Sequence, residues 1–277
     1  MLTVSLTTDW GNSGIYTGLF KAKLIQRLPG TQIVDISNEI KPFDVGQAVF
    51  SLRNAFSHFP QKTIHIVSVA SANIQDKTKN HEYVCLQYNY QYFIGPNNGL
   101  WNMLFEETPT EVYKIPAAAQ KSLGNFQEAD AIVETINKIA IGLPIDRIGE
   151  KTTCYPAYKM LAPIVTDSML EGRFLYFDSY GNGITNISIT LFETARRGRL
   201  FSIMIDSKRY STDEITENYE PKDKSSKIMA LYNVSGFLEI AIPYNPLEKF
   251  FHIDSEHTSI FVHFYDTEEE KNNFGLI

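Results

Sequence analysis

The feature that most constrains this chain is a short strand that ends in a polar loop and leads into a helix. Residues 2–7 alternate apolar and small polar side chains, as a half-buried strand does. Residues 8–14 (TDWGNSG) are mostly turn formers, and apolar residues recur at helical spacing from Ile15 onward. Ligands of open α/β sheets lie at the carboxyl ends of strands, so Asp9 stands where a ribose diol would be bound. The alternative interpretation is that Asp9 caps the loop or the helix.

The first half of the chain alternates predicted strands with predicted helices. Strands are expected at residues 32–36 and 63–69, and a hairpin at 83–88 and 91–94. Helices are expected at residues 45–56, 100–105 and 127–141, the first of them starting with a capping box from Asp44 to Gln47. This alternation predicts an α/β domain over residues 1–150, with a mixed or parallel sheet and helices on both faces.

The second half reads differently. Residues 151–166 have no clear periodicity and are interpreted as a linker. Beyond them, short strand patterns follow one another at residues 172–177, 184–189, 200–205, 228–232, 237–242 and 260–264. This pattern predicts a small all-β, barrel-like domain over residues 167–277, with a surface loop at 211–227.

Charge and cysteine content limit the partners that the chain can have. The formal net charge of −7 over 277 residues argues against nucleic acid and against an anionic membrane surface. The sequence has no basic segment followed by a long apolar run, so we expect neither a signal peptide nor a membrane span. The two cysteines, Cys85 and Cys154, have no metal-ligand spacing, so we expect no metal and a reducing, cytoplasmic location.

Five segments, in order along the chain, together resemble one family. They are residues 7–11 (TTDWG), 33–44 (IVDISNEIKPFD), 93–99 (FIGPNNG), 178–186 (DSYGNGITN) and 235–241 (SGFLEIA). The set is similar to the motifs of the S-adenosyl-L-methionine hydroxide adenosyltransferases, whose relatives include the fluorinating and chlorinating enzymes. The resemblance implies an α/β domain, a β-barrel and a homotrimer with sites between subunits.

The resemblance also implies a reaction and a set of binding residues. Water would attack the ribose 5′ carbon of S-adenosylmethionine (SAM) and expel methionine, which leaves adenosine, with no further cofactor. Asp9 would accept both ribose hydroxyls, and Phe43 would pack against the nucleoside. Tyr180 would form an aromatic wall for the adenine, and Asn182 would hydrogen-bond it. Asp178 would hold the methionine ammonium.

Three positions that the family uses to position and activate water carry other residues here. The family's Asp falls on Ala70, its Arg on Lys77 and its His on Gln127; Glu128 and Ala129 replace the Gly and Arg that follow. Gln127 orients water without taking its proton, and Lys77 needs a lowered pKa to act as a base. Glu128 is a candidate base, or else a solvated residue in the first turn of a helix.

These departures leave two classes of function open. The first is a SAM hydrolase with a rearranged water site that uses Lys77, Gln127 or Glu128. The second is a non-catalytic SAM- or adenosine-binding protein, a sensor or trimeric partner. A halogenase is not expected, because Glu128 stands where the halogenating relatives hold the halide, and a carboxylate repels an anion there. Val234, at a position where those relatives anchor the methionine, suggests a changed substrate.

The binding residues themselves have simpler interpretations. Residues 178–183 (DSYGNG) have the composition of a tight turn. Tyr180 is equally compatible with a core aromatic position, and Phe43 is more so.

Overall fold

The computed structural model describes residues 1–71, 82–117, 126–156, 162–205, 207–220, 228–251, 253 and 258–273, with residues 207–209 described by their backbone alone. The chain folds into two compact units, Met1–Lys159 and Met160–Ile277. Each is described by itself below. None of the helices in these residues is long and apolar enough to cross a bilayer.

In its described residues, the first unit contains a seven-stranded mixed sheet and four α-helices. The strands are β1 (Thr3–Thr8), β2 (Gln32–Ser37), β3 (Ile64–Ser68), β4 (Tyr83–Tyr88), β5 (Gln91–Pro96), β6 (Val112–Lys114) and β7 (Glu150–Thr152). The helices are α1 (Ile15–Arg27), α2 (Val45–Ala55), α3 (Leu100–Leu104) and α4 (Gln127–Ala140). The strand order is β2-β1-β3-β5-β4-β6-β7; β2, β1, β3 and β5 are parallel, and the remaining pairs are antiparallel.

Alternate residues of the central strand β3 enter two different cores. Ile64 and Ile66 pack with residues of α1 and α4, whereas Val67 packs with residues of α2 and α3. Since successive side chains of a strand point to opposite faces, this is the alternation expected of a sheet with helices on both faces. Strands β1 and β3 are parallel neighbours, so their carboxyl ends lie at the same edge of the sheet.

The second unit contains a nine-stranded, barrel-like sheet. Its strands are β8 (Ile164–Val165), β9 (Met169–Phe177), β10 (Gly183–Ser188), β11 (Leu200–Ile205), β12 (Ser207–Thr212), β13 (Ile215–Thr216), β14 (Met229–Tyr232), β15 (Phe237–Ala241) and β16 (Ser259–Tyr265). The order is β12-β11-β16-β9-β10-β15-β14-β13, with β8 paired to β9. All pairs are antiparallel except β13 with β14.

The prediction of an all-β second domain is wrong in one respect. The unit also has three helices, α5 (Ile189–Arg196), α6 (Leu247–Phe251) and α7 (Glu268–Asn273), within its described residues. The pattern at residues 184–189 predicts a strand, and α5 begins at the last residue of that predicted strand. The Ser188 side chain accepts a hydrogen bond from the Leu191 N–H, which ends the strand and caps the helix.

Two segments predicted to be irregular have regular ends. Residues 151–152 at one end of the predicted linker belong to β7, and 164–165 at the other end form β8. The predicted surface loop at 211–227 contains the end of β12 and all of β13. Residues 221–227 lie outside the described residues.

Candidate functional site

Asp9 lies directly after β1 and is held by main-chain groups from two other segments. Its N–H donates to the Ser68 carbonyl (3.2 Å), and its Oδ2 accepts from the N–H of Ala70 (3.2 Å) and of Phe43 (3.4 Å). Burial raises the pKa of the Asp9 carboxyl, and these main-chain bonds oppose the rise. The N-cap residue of helix α1 is Gly14, which makes no side-chain capping bond, so Asp9 is not the N-cap.

Both residues that donate to Asp9 have left-handed backbone conformations. Phe43 has φ of 68° and Ala70 has φ of 51°, a region that residues other than glycine seldom adopt. Such conformations persist only where the surroundings enforce them, and they are concentrated at functional sites. Here they turn two N–H groups toward one carboxylate.

Two buried asparagines fix the loops around Asp9. Oδ1 of Asn38 accepts a hydrogen bond from the Thr8 hydroxyl (2.9 Å), and the main-chain carbonyl of Asn38 accepts from the Gly11 N–H (2.7 Å). Asn98 donates through Nδ2 to the carbonyls of Val69 (3.0 Å) and Ala70 (3.3 Å). We assigned neither asparagine a role from sequence, although both lie in motifs that carry the family resemblance.

Phe43 is not a core residue. The residue is 58 % exposed, and its main-chain N–H donates to Oδ2 of Asp9. The first unit thus brings together two of the predicted binding residues, Asp9 and Phe43.

In the second unit, residues 178–182 form the tight turn that their composition predicts. Oδ1 of Asp178 accepts from the N–H groups of Tyr180 (2.9 Å) and Asn182 (2.8 Å), and Gly181 adopts φ of 80°. Oδ2 of Asp178 accepts from Nδ2 of Asn182 (3.2 Å). The turn holds all three predicted residues of this unit in one place.

This turn borders a cavity of about 610 Å³. The cavity is lined by residues of the turn and by several that come from elsewhere in the unit, among them Asp178, Tyr180, Asn182, Tyr219, Tyr244 and Pro246. The Tyr180 side chain is 80 % exposed, so the interpretation of Tyr180 as a core residue is wrong. The cavity is large enough for a small ligand.

A buried carboxylate, that of Glu239, is hydrogen-bonded to Asn182 of the turn. Glu239 is only 3 % exposed, and its Oε1 accepts from the Tyr219 hydroxyl (2.6 Å). Burial raises the pKa of Glu239 and the charge of Asp178 adds to the rise, whereas hydrogen bonds from Tyr219 and Asn182 lower it. Glu239 belongs to the motif at residues 235–241, but the sequence assigned it no role. Tyr219 lies in the predicted surface loop at 211–227.

The candidate water-activating residues lie at the start of α4 in the first unit. Gln127 is exposed, and Glu128 is half-buried, with burial raising the pKa of its carboxyl. Both line a cavity of about 250 Å³, together with Tyr83 and Lys114. Lys77 lies outside the described residues. The part of the chain that the structure describes brings no three His, Cys, Asp or Glu residues together in an arrangement that would hold a metal ion.

Two family models match this chain. The model of the SAM hydroxide adenosyltransferase N-terminal domain matches residues 4–149, and that of the C-terminal domain matches residues 172–259. Together these ranges cover well over half of the chain, including Asp9 and the turn at 178–182.

Individual relatives agree with the family models. A (R)-S-adenosyl-L-methionine hydrolase of Methanocaldococcus jannaschii is 26% identical over 268 residues, 91% of this chain and 92% of that protein. Another from Thermus thermophilus is 24% identical over 68% of this chain and 75% of its own length.

Solved structures show the same fold. A conserved protein from Thermotoga maritima superimposes with a TM-score of 0.75 at 24% identity, covering 95% of this chain and all of its own. A second, from Thermus thermophilus, has a TM-score of 0.68 at 17% identity and covers 96% of this chain and all of its own. With both domains matched in order, this chain belongs to the SAM hydroxide adenosyltransferase family.

Proposed function

We propose that this protein binds an adenosine-containing ligand, SAM or adenosine, through Asp9. The observation that carries the proposal is the Asp9 carboxylate, held at a strand end by the N–H groups of Ala70 and Phe43. A carboxylate accepts about four hydrogen bonds, so it can still receive two ribose hydroxyls. The exposed ring of Phe43 would pack against the nucleoside.

The turn in the second unit would bind the rest of the ligand. Nδ2 of Asn182 is directed to Asp178, which leaves Oδ1 of Asn182 to accept from the adenine amino group. The exposed ring of Tyr180 would stack on the adenine. Asp178 would hold the methionine ammonium through the remaining lone pairs of its carboxylate.

The reaction that we propose is the hydrolysis of SAM to adenosine and methionine, with a rearranged water site. Family membership supports it, as do the two relatives whose names state this activity. SAM is then the substrate, and the reaction needs no resident cofactor. Halogenation is not proposed, because the Glu128 carboxylate would repel a halide at short range.

A second candidate is a non-catalytic binding protein, that is, a pseudoenzyme acting as a sensor or trimeric partner. The observation that favours it is the burial of Ala70 (6 %) and Ala129 (0 %), at two positions where the family resemblance implies polar groups. Neither side chain offers a group that could orient or deprotonate water.

We also propose a homotrimer with sites completed between subunits, as the family resemblance implies, in the cytoplasm. The free thiols of Cys85 and Cys154 support a reducing location. Light scattering tests the assembly: a monomer that binds adenosine tightly would contradict it.

Two measurements on the purified protein test the proposed function. Calorimetric titration with SAM and with adenosine should detect binding, and failure to bind either would overturn the proposal. Incubation with SAM in ¹⁸O-labelled water should then place the label in the 5′ hydroxyl of adenosine. We expect a turnover below about 1 s⁻¹, the low end for typical enzymes. Binding without labelled adenosine would favour the pseudoenzyme.

A further inference from the structure

Three hydroxyl groups contact one another beside Asp9. The Tyr83 hydroxyl lies 2.8 Å from the Ser68 hydroxyl and 2.7 Å from that of Ser71, and the two serine oxygens are 3.2 Å apart. Ser68 ends β3, and its carbonyl accepts the Asp9 N–H. We call Ser68, Ser71 and Tyr83 the hydroxyl cluster.

Glu128 lies close to this cluster. It lines the same cavity of about 250 Å³ as Tyr83. Burial raises the pKa of the Tyr83 phenol, hydrogen bonds with Ser68 and Ser71 lower it, and the charges of Glu128 and Asp9 raise it again. Both carboxylates are linked to the cluster by geometry as well: Glu128 lines the cavity together with Tyr83, and the Asp9 N–H donates to the Ser68 carbonyl.

The hydroxyl cluster has the capacity to receive a water molecule. A hydroxyl has one donor and two acceptor lone pairs, so three mutually bonded hydroxyls use their three donors and keep acceptor capacity on each oxygen. An attacking water needs acceptors for both of its hydrogens, because its lone pair must then point at carbon. A hydroxyl oxygen and a carboxylate together meet that need.

We propose, resting on the proposed function above, that Ser71 and Tyr83 position the attacking water and that Glu128 is its general base. The water oxygen forms a bond to the ribose 5′ carbon while the carbon–sulfur bond breaks. The bonding pair goes to sulfur, which neutralises the sulfonium and releases methionine. The water proton goes to the Glu128 carboxylate and from there to solvent, so SAM and water give adenosine and methionine.

Glu128 suits this role better than the other candidates at the start of α4. The amide of Gln127 takes no proton at neutral pH, whereas a carboxylate does. Burial raises the pKa of the Glu128 carboxyl toward neutral pH, and a base whose pKa is near the working pH is the more effective catalyst. Among the described residues, the other charged groups that line the cavity are Glu82 and Lys114, which form an ion pair with each other.

The test compares Glu128→Gln with Glu134→Gln, a matched change at a partly exposed position in the middle of α4, where Glu134 pairs with Lys138. Single-turnover hydrolysis of SAM is measured as labelled adenosine, and SAM affinity by calorimetry. We expect Glu128→Gln to lower the rate about 10²-fold and to remove its rise with pH, with SAM affinity kept. Glu128→Asp should recover part of the rate, and Glu134→Gln should leave it unchanged.

Tyr83→Phe tests the positioning role. It should lower kcat about fivefold to tenfold with KM unchanged, since one hydrogen bond to the water is lost. An unchanged rate and pH profile in Glu128→Gln would overturn the inference, as would wild-type protein that binds SAM and releases no labelled adenosine. Absence of SAM and adenosine binding would instead contradict the proposed function.

Discussion

The main-chain N–H of Ala70 donates to the carboxylate of Asp9 across 3.2 Å, although 61 positions separate the two residues. The contact exists because β1 and β3 are parallel neighbours, with Thr8 in register with Ser68. Both strands end at the same edge of the sheet. Ala70 adopts φ of 51°, which directs its N–H at the carboxylate. An alanine side chain at this position still leaves the main-chain part of the proposed ribose site intact.

Asp9→Ala should weaken the binding of adenosine by about 1–3 kcal/mol, the effect of losing a buried hydrogen-bonding group. Asp35→Asn is the control, because Asp35 pairs with Lys21 on an exposed surface. Calorimetry at neutral pH measures both. Equal affinities in the two variants would show that Asp9 is not the ribose anchor.

Asn182→Ala should lower adenosine affinity by a similar amount, about 1–3 kcal/mol. The variant removes the acceptor for the adenine amino group and a donor to Asp178. Asn273→Ala, at the end of the exposed helix α7, should bind as the wild type does. Inosine distinguishes the two effects: if Asn182 accepts from the amino group, the wild type should discriminate against inosine and Asn182→Ala should not.

Gly181→Ala should disrupt the turn that holds Asp178 and Asn182. A Cβ at Gly181 would lie 2.5 Å from Cβ of Pro246, and the backbone has φ of 80°. Gly30→Ala is a matched control, because its φ is 85° and a Cβ there meets nothing within 4 Å. The left-handed conformation costs an alanine about 1–2 kcal/mol at either site.

Overpacking against Pro246 should add about 1–3 kcal/mol at Gly181 alone. Urea unfolding of both variants measures this difference. Adenosine affinity should fall in Gly181→Ala and stay unchanged in Gly30→Ala. Equal losses of stability would mean that the loop yields to the added methyl group.

Stability should fall as the pH drops from about 6.5 toward 4, in part because of His65. Its ring is buried, with Nδ1 2.6 Å from the Ser5 hydroxyl, and burial lowers the pKa of His65 to about 4 from 6.5. In the unfolded chain His65 takes up a proton below about pH 6.5, whereas in the folded chain it is protonated only below about pH 4. Stability is therefore fully present above 6.5 and declines across this window, by on the order of 3 kcal/mol.

His65→Gln should reduce that pH dependence, whereas His58→Gln, at an exposed position, should preserve it. Urea unfolding at pH 7 and pH 5 provides the comparison. The same slope in all three proteins would contradict a neutral, buried His65.

The elements that could be predicted from sequence are those with a local physical cause. The capping box is confirmed: the Asp44 side chain accepts from the Gln47 N–H, at 2.8 Å. The hairpin is confirmed as well, with Asn89 and Tyr90 at φ of 48° and 60°, the left-handed pair that a two-residue turn requires. Five ordered motifs were enough to indicate the family, which the two matched domains then showed.

Contacts between groups that are distant in sequence depend on the fold. Periodicity indicates which side of a strand is buried, but not which N–H will meet the Asp9 carboxylate or that Tyr219 will reach the buried Glu239. The hydroxyl cluster is of the same kind, because Ser68 and Tyr83 meet only through the order of the strands. Local sequence patterns therefore predict the elements and the candidate residues of this protein, whereas strand order and burial determine which of those residues lie together in each unit.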